Sequence, residues 1–88
     1  MSQRTLGFDQ SGWEDFLWWV DNDRKLLQKI RGLIDECLRD PLHGTGMPER
    51  LNYKSGLNIW SRRITQEDRL VYEVRDDAII VLQARFHY

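Results

Sequence analysis

The sequence predicts a single α+β domain in which a two-helix hairpin packs on one face of a largely antiparallel sheet of four to five strands. Three observations support this prediction. The chain has 88 residues, which is enough for one core, so residues 1–88 should form one domain. Apolar residues recur with helical spacing in the first half and alternate with a period of two after Pro48. Short connections join the strand-like segments, and consecutive strands joined in this way must be antiparallel.

The first half reads as a strand followed by two helices. A short strand is expected at residues 5–8. Two apolar stripes with helical spacing follow it: Trp13, Phe16, Leu17 and Val20, then Leu27, Ile30, Ile34, Cys37 and Leu38. Ser11 followed by Glu14 has the pattern of a capping box for the first helix, and the acidic run at residues 21–23 offers caps for the second. Pro41 helps to end the second helix.

The second half predicts a meander of strands at residues 50–53, 59–65, 69–75 and 78–86. Side-chain alternation assigns one set of residues to the helix-covered face: Ile64, Leu70, Tyr72, Val74, Ile80, Leu82, Ala84 and Phe86. It assigns their neighbours to the open face: Arg63, Arg69, Glu73, Gln83, Arg85 and His87. Three arginines and a histidine from neighbouring strands should therefore share the face that the helices leave open.

Composition is that of a compact soluble protein, with 41% hydrophobic residues, 31% charged residues and a net charge of −1. No apolar run approaches the roughly 20 residues of a membrane span, and the N-terminus lacks a secretory signal, so a cytoplasmic protein is expected. Cys37 is the single cysteine and has no intramolecular disulfide partner. Cys37 and the two histidines lack metal-ligand spacing, so neither a metal nor another cofactor is expected.

Clustered guanidinium groups and an imidazole suit the binding of a phosphodiester and the transfer of a proton beside it. RNA supplies its own nucleophile, the 2′-hydroxyl, so its cleavage needs only a general base, a cation and a general acid. Glu49, Arg69 and His87 are the candidates for these three roles. The alternative is a solvated face on which Glu73, Glu67 and Asp68 neutralise the arginines.

These residues also carry a family resemblance. The segment "WSRRITQEDRLVYEVRDDAIIVLQARFHY" closely resembles the C-terminal half of the YoeB/Txe toxins of the RelE superfamily. "SGWEDFLWW" resembles their first helix, and "DPLHGTGMPERL" resembles their loop ending in Pro-Glu. The resemblance implies a RelE-like, microbial-ribonuclease-like fold and a toxin of a type II toxin-antitoxin system. It further implies an mRNA interferase, an endoribonuclease that cuts mRNA codons in the A site of the 70S ribosome.

The same resemblance implies the partners. A YefM/Axe-type antitoxin would neutralise the protein, and operator DNA would be bound only by the toxin-antitoxin complex. A homodimer of the free toxin is left open.

Residue by residue, the resemblance assigns the general base to Glu49 and the transition-state arginine to Arg69. It assigns phosphate binding to Arg63, and proton donation to His87 with the terminal Tyr88. Strict alternation would instead direct Tyr88 towards the helices, so its place in the site depends on the resemblance alone.

Three further residues complete the predicted site. Glu67 matches an acidic position of the family and should orient an arginine. Lysines that commonly surround the Pro-Glu motif are absent here, which leaves Lys54 as the candidate for the missing amine. Arg85 is expected to bind substrate from the open face. The net charge of −1 predicts weaker attraction to ribosomal RNA than a basic toxin would have.

Two other functions remain open at this point. ParE-like toxins of the same superfamily bind a topoisomerase without cutting RNA, and a degenerate toxin could act mainly as a co-repressor with its antitoxin. The Glu49, Arg69 and His87 set favours the nuclease, because a protein that only binds has no need of an acid and a base in one cleft.

Overall fold

A computed structural model describes residues 4–51 and 56–86 and confirms the α+β prediction. The elements in chain order are β1 (Thr5–Phe8), α1 (Gln10–Asn22), α2 (Arg24–Arg39), β2 (Glu49–Leu51), β3 (Ile59–Arg63), β4 (Arg69–Val74) and β5 (Ala78–Gln83). The five strands form one sheet in the order β1-β5-β4-β3-β2. Strand β1 pairs with β5 in parallel, and the other neighbours are antiparallel.

The start of α1 differs from the prediction. Asp9 caps this helix by accepting a hydrogen bond from the backbone N–H of Gly12 (2.8 Å), and Ser11 lies inside the first turn. The chain leaves β1 with the N–H of Asp9 still bonded to Val81 of the sheet, so the reversal that begins the helix occurs at Asp9. The predicted capping box at Ser11 is therefore wrong, whereas the predicted acidic cap of α2 is confirmed at Asp23.

The main core lies between the two helices and one face of the sheet. Its buried members are Trp19, Ile30, Leu33, Ile34, Cys37, Ile64, Leu70, Tyr72, Ile79, Val81 and Ala84. Strands β3 and β4 follow the predicted alternation, since Leu70 and Tyr72 on β4, and Ile64 directly after β3, all lie in the core beneath the helices. Within residues 4–51 and 56–86, no helix is long and apolar enough to cross a membrane.

Strand β5 has the opposite phase to the prediction over most of its length. Ile79 and Val81 are buried in the main core, whereas Ile80 and Leu82 had been expected there. Leu82 instead packs in a second, smaller apolar cluster. Ala84 is buried as predicted.

A β-bulge explains this change of phase. Val71 pairs with Gln83 and Tyr72 pairs with Val81, so Leu82 is an extra residue on β5. Counting back in steps of two from the end of the strand therefore reverses every side chain before the bulge.

The second cluster lies on the face away from the helices and contains Leu51, Ile59 and Val71, with Leu82 against it. The predicted open face is therefore apolar at one end. Its polar end lies at the start of β4 and the end of β3, where Arg63 pairs with Arg69.

Candidate active site

A cleft of about 400 Å³ lies at the polar end of the open face. Met47, Pro48, Glu49, Arg63 and Arg69 line it. Three of the eight residues predicted to form the site, one acid and two arginines, thus line one cleft in the structure.

Strand pairing accounts for this arrangement. Glu49 on β2 lies opposite Ser61 on β3, and Arg63 lies opposite Arg69 on β4. Residues directly opposite on paired strands project to the same face, and Ser61 and Arg63 are two residues apart on one strand. The acid and the two arginines are consequently on neighbouring rows of the same face.

Arg69 is held inside the wall of the cleft, with 8% of its surface exposed. Its Nε donates a hydrogen bond to Ser61 Oγ (3.0 Å), and one terminal nitrogen lies 3.5 Å from Glu49 Oε1. The Glu49 side chain is 62% exposed. The cation is thus oriented by a buried hydroxyl, and the carboxylate beside it is open to a ligand in the cleft.

The turn between β3 and β4 carries the predicted Glu67. Thr65 Oγ1 accepts hydrogen bonds from the N–H groups of Glu67 and Asp68 and donates to Asp68 Oδ2 (2.9 Å). Glu67 and Asp68 line a hollow of about 210 Å³ next to α1, separate from the residues that line the cleft. Arg85 lines the same hollow, so Arg85, and not an arginine of the cleft, shares the surroundings of Glu67.

Arg85 does not lie on the open face, so its prediction as a residue of that face is wrong. Its guanidinium carbon lies 3.7 Å from the ring centroid of Trp18 on α1 and 4.4 Å from that of Phe86. Two features redirect the chain here. Strand β5 ends at Gln83, and Phe86 has a left-handed backbone with φ of 64° and is 59% exposed, although alternation had predicted it to be buried.

The chain beyond β5 is nevertheless fixed by hydrogen bonds. Asp15 accepts from the N–H of Ala84 (2.9 Å), and Trp19 Nε1 donates to the carbonyl of Ala84 (2.7 Å). Asp68 accepts from the N–H of Phe86 (2.8 Å), and the N–H of Arg69 donates to the carbonyl of Phe86 (3.2 Å). Residues 84–86 are therefore held by α1 on one side and by the start of β4 on the other.

Three predicted site residues, Lys54, His87 and Tyr88, lie outside the described residues. Their roles stay predictions.

Sequence reasoning missed two residues that shape the cleft. Ser61 is fully buried and orients Arg69. Arg62 is fully buried on the helix-facing side of β3 and hydrogen-bonds to the loop before Glu49. The signal was present, because the alternation that directs Arg63 outward directs Arg62 into the core, where an arginine is rare.

Cys37, a further candidate nucleophile, is buried in the main core. Burial raises the pKa of the Cys37 thiol to about 11, which disfavours the thiolate needed in a nucleophile. No group of three or more His, Cys, Asp and Glu side chains among residues 4–51 and 56–86 is arranged to hold a metal ion.

Comparison with known sequences gives a family match. A model of the YoeB-like toxins of bacterial type II toxin-antitoxin systems matches residues 8–88. Toxin YoeB of Mycobacterium bovis is 48% identical over 85 residues, which cover 97% of this chain and 99% of that protein.

Comparison with solved structures agrees with the sequence match. The YoeB dimer from Staphylococcus aureus aligns with a TM-score of 0.86 and 37% identity, covering 99% of this chain and 100% of that chain. A heterotetrameric YoeB-YefM toxin-antitoxin complex from the same organism aligns with a TM-score of 0.83 and 35% identity, with the same coverage. The archaeal RelE of a RelE-RelB complex from Pyrococcus horikoshii is 12% identical and has a TM-score of 0.76 over 97% of this chain and 96% of that chain, which confirms a RelE-like fold.

Proposed function

The chain belongs to the family of YoeB-like toxins of bacterial type II toxin-antitoxin systems, and from the chemistry of its cleft we propose that it is a ribosome-dependent mRNA endonuclease. Its substrate would be the mRNA codon in the ribosomal A site. The observation that carries this proposal is the exposed Glu49 carboxylate 3.5 Å from the nearly buried Arg69 guanidinium, in a cleft that Arg63 also lines. A base beside a fixed cation is what attack by a 2′-hydroxyl on the adjacent phosphate requires.

The proposed reaction begins at Glu49. Its carboxylate takes the proton of the 2′-hydroxyl, and the 2′-oxygen attacks the neighbouring phosphorus. A bond forms between the 2′-oxygen and phosphorus, the bond from phosphorus to the 5′-oxygen breaks, and a 2′,3′-cyclic phosphate remains. The departing 5′-oxygen takes a proton from a general acid, for which His87 is the candidate.

Arginines stabilise the charge that develops in this step. Arg69 is oriented before substrate binds, so it can face the phosphoryl oxygens without reorganisation. Arg63 lines the same cleft and can bind a phosphate in bidentate fashion. Lys54 and Tyr88 are further candidates for contacts to the substrate. Arg85 is left out of this role because it stacks on Trp18.

A YefM-type antitoxin is the proposed protein partner, since a related YoeB was solved in complex with YefM. The same reasoning extends to a homodimer, because another related structure is a YoeB dimer. Binding of operator DNA is proposed only for the complex with antitoxin, since the net charge of −1 gives the toxin little attraction of its own for nucleic acid.

The test is to add the purified protein to a translating extract and to map the ends of a reporter mRNA. Wild-type protein should cut within codons at the A site. Glu49→Gln and His87→Ala should each lower the cutting rate by about 10²- to 10⁴-fold, the usual contribution of a general base or acid. Glu14→Gln is the matched control, because Glu14 is on α1 and bonds to Gln10.

Thermal melting of each variant separates lost chemistry from lost fold. A Glu49→Gln protein that cuts at the wild-type rate would remove Glu49 from the mechanism. Intact mRNA with wild-type protein and active ribosomes would instead favour a toxin that only binds its target or acts as a co-repressor.

A further inference from the structure

Arg62 is a charged residue in the main core, on the opposite face of β3 from the cleft. It is 0% exposed, and all five of its N–H groups can be used. Nε donates to the Tyr72 hydroxyl (3.1 Å), and one terminal nitrogen lies 3.1 Å from the carbonyl of Thr45 and 3.4 Å from Glu36 Oε1. The other terminal nitrogen donates to the carbonyls of Asp40 (2.7 Å) and His43 (2.8 Å).

Three of these acceptors are backbone carbonyls of one loop, residues 40–46, which joins α2 to the cleft. This loop has neither a helix nor a strand to pair its polar groups. The acceptors lie around Nε and both terminal nitrogens of Arg62. Among the side chains, only the planar guanidinium group of arginine can donate in all these directions at once. Arg62 thus supplies the hydrogen bonds that regular secondary structure would otherwise provide.

Two neighbours complete the network around this guanidinium. The backbone N–H of Thr45 donates to Glu36 (2.9 Å), and this bond holds the pKa of Glu36 below its ordinary value, so its carboxylate is charged beside Arg62. Burial raises the pKa of Tyr72, so its hydroxyl keeps the proton that it donates to the carbonyl of Pro41 (2.7 Å). Every buried side-chain nitrogen and oxygen in the described part of the chain has a partner.

The loop held in this way ends in the wall of the cleft. The carbonyl of Gly46 accepts a hydrogen bond from the N–H of Arg63 (2.7 Å), and Met47 follows with φ of 52°. Pro48 and Glu49 come next, and Glu49 begins β2, a strand of three residues. Strand β2 lies at the edge of the sheet and its backbone pairs with β3 on one side, so the backbone position of Glu49 also depends on how the preceding loop is fixed.

We propose that Arg62 is a positioning residue for the nuclease reaction, which holds the loop at residues 40–46 so that Glu49 stands beside Arg69. This inference rests on the proposed function. It differs from a merely structural role, because a core residue that only stabilises the fold has no specific effect on the geometry of Glu49.

The test compares variants with a control that loses stability elsewhere. Arg62→Lys keeps the positive charge, but the single ammonium group of lysine cannot reach all the acceptors that the guanidinium group of Arg62 contacts. Tyr72→Phe removes only the hydroxyl shared by Arg62 and Pro41, and it serves if Arg62→Lys does not fold. Leu33→Ala is the control. Leu33 is buried in the main core on α2, so its replacement by alanine leaves a cavity there and lowers stability without touching the loop.

The wild-type protein and the three variants are assayed with programmed ribosomes at a temperature well below the lowest of their melting temperatures. We expect Arg62→Lys to lower kcat by about 10-fold or more with KM little changed, since misplacing a reacting group by 1 Å can cost about 100-fold. Tyr72→Phe should give a smaller loss of the same kind, and Leu33→Ala should keep the wild-type kcat. Hydrogen exchange at the amide of Thr45 should accelerate in the Arg62 and Tyr72 variants before exchange in β3 and β4 changes.

Two results would overturn the proposal. One is a wild-type kcat in Arg62→Lys, and the other is a loss of kcat in Leu33→Ala as large as the loss in Arg62→Lys when both proteins are fully folded at the assay temperature. If wild-type protein does not cut mRNA, the proposed function fails and the link to Glu49 fails with it. The exchange pattern then still decides whether Arg62 holds the loop, because uniform acceleration across the sheet would contradict that role as well.

Discussion

Ser61→Ala is the sharpest test of how the cleft is built, because it removes one buried oxygen atom. Ser61 Oγ accepts the hydrogen bond from Arg69 Nε at 3.0 Å, and both residues are almost inaccessible to water. Glu49 contacts a different nitrogen of the same guanidinium. The variant should therefore keep Arg69 in the cleft while removing one of the contacts that orient it.

The size of the effect follows from the charge and the burial. A hydrogen bond to a charged group contributes about 1.5–3 kcal/mol, and a buried donor left without its acceptor loses most of that amount. With a loss of about 2 kcal/mol, the melting temperature of a domain of this size should fall by roughly 8–16 °C. The cutting rate should fall by about 10- to 100-fold, because Arg69 would no longer be oriented before the substrate binds.

Thermal denaturation of Ser61→Ala, Arg69→Met and the double variant measures the coupling between the two residues. Their interaction free energy should exceed about 1 kcal/mol, whereas independent sites would add to within about 0.5 kcal/mol. Ser11→Ala is the control, because Ser11 is exposed on α1 and its removal should change stability by no more than about 0.5 kcal/mol. Additive single effects, or wild-type cutting by Ser61→Ala, would refute the proposed role of Ser61.

Three further predictions concern the loop before Glu49, helix α2 and the last two residues of the chain. Gly46 has φ of 87°, and a Cβ there would lie 3.0–3.2 Å from β3 atoms, so Gly46→Ala should lower the free energy of unfolding by about 1–3 kcal/mol in chemical denaturation. Gly32 has open space around it in α2, so Gly32→Ala should raise the free energy of unfolding by about 0.5–1 kcal/mol. Equal changes in the free energy of unfolding for Gly46→Ala and Gly32→Ala would contradict the role of the positive φ at Gly46. Replacing His87 and Tyr88 by alanine should abolish cutting and change the melting temperature little, because the hydrogen bonds that hold residues 84–86 remain; a large fall would show that the last two residues are structural.

The parts of the site that sequence could predict are those built on regular strands. Strands β3 and β4 alternate without interruption from Ile59 to Arg63 and from Arg69 to Val74, so period alone placed Arg63 and Arg69 on one face. The placement of Glu49 in the site depended on the family resemblance, because the alternation does not indicate how close β2 brings Glu49 to Arg69. The pairing of Glu49 with Ser61 supplies that proximity.

Strand β5 and the chain end could not be predicted in the same way. Its run of apolar residues offers no polar neighbour to mark a face, and the bulge at Leu82 reverses the phase that Ala84 suggests. Arg85 lies after the bulge, and it was misplaced because the strand ends at Gln83 and the backbone turns at Phe86. That turn is made by tertiary contacts with Asp68 and Arg69, which lie 18 and 17 residues earlier in the sequence and leave no local pattern.

Three adjacent residues of β3 account for most of the cleft geometry. Ser61 orients Arg69, Arg62 holds the loop that leads to Glu49, and Arg63 lines the cleft itself. Because neighbours on a strand point to opposite faces, a slip of one residue in β3 would expose the guanidinium of Arg62 and bury that of Arg63. The serine and the two arginines are therefore a single structural unit. Since both sides of the cleft depend on this one strand, its register with β2 and β4 sets how far Glu49 lies from Arg69.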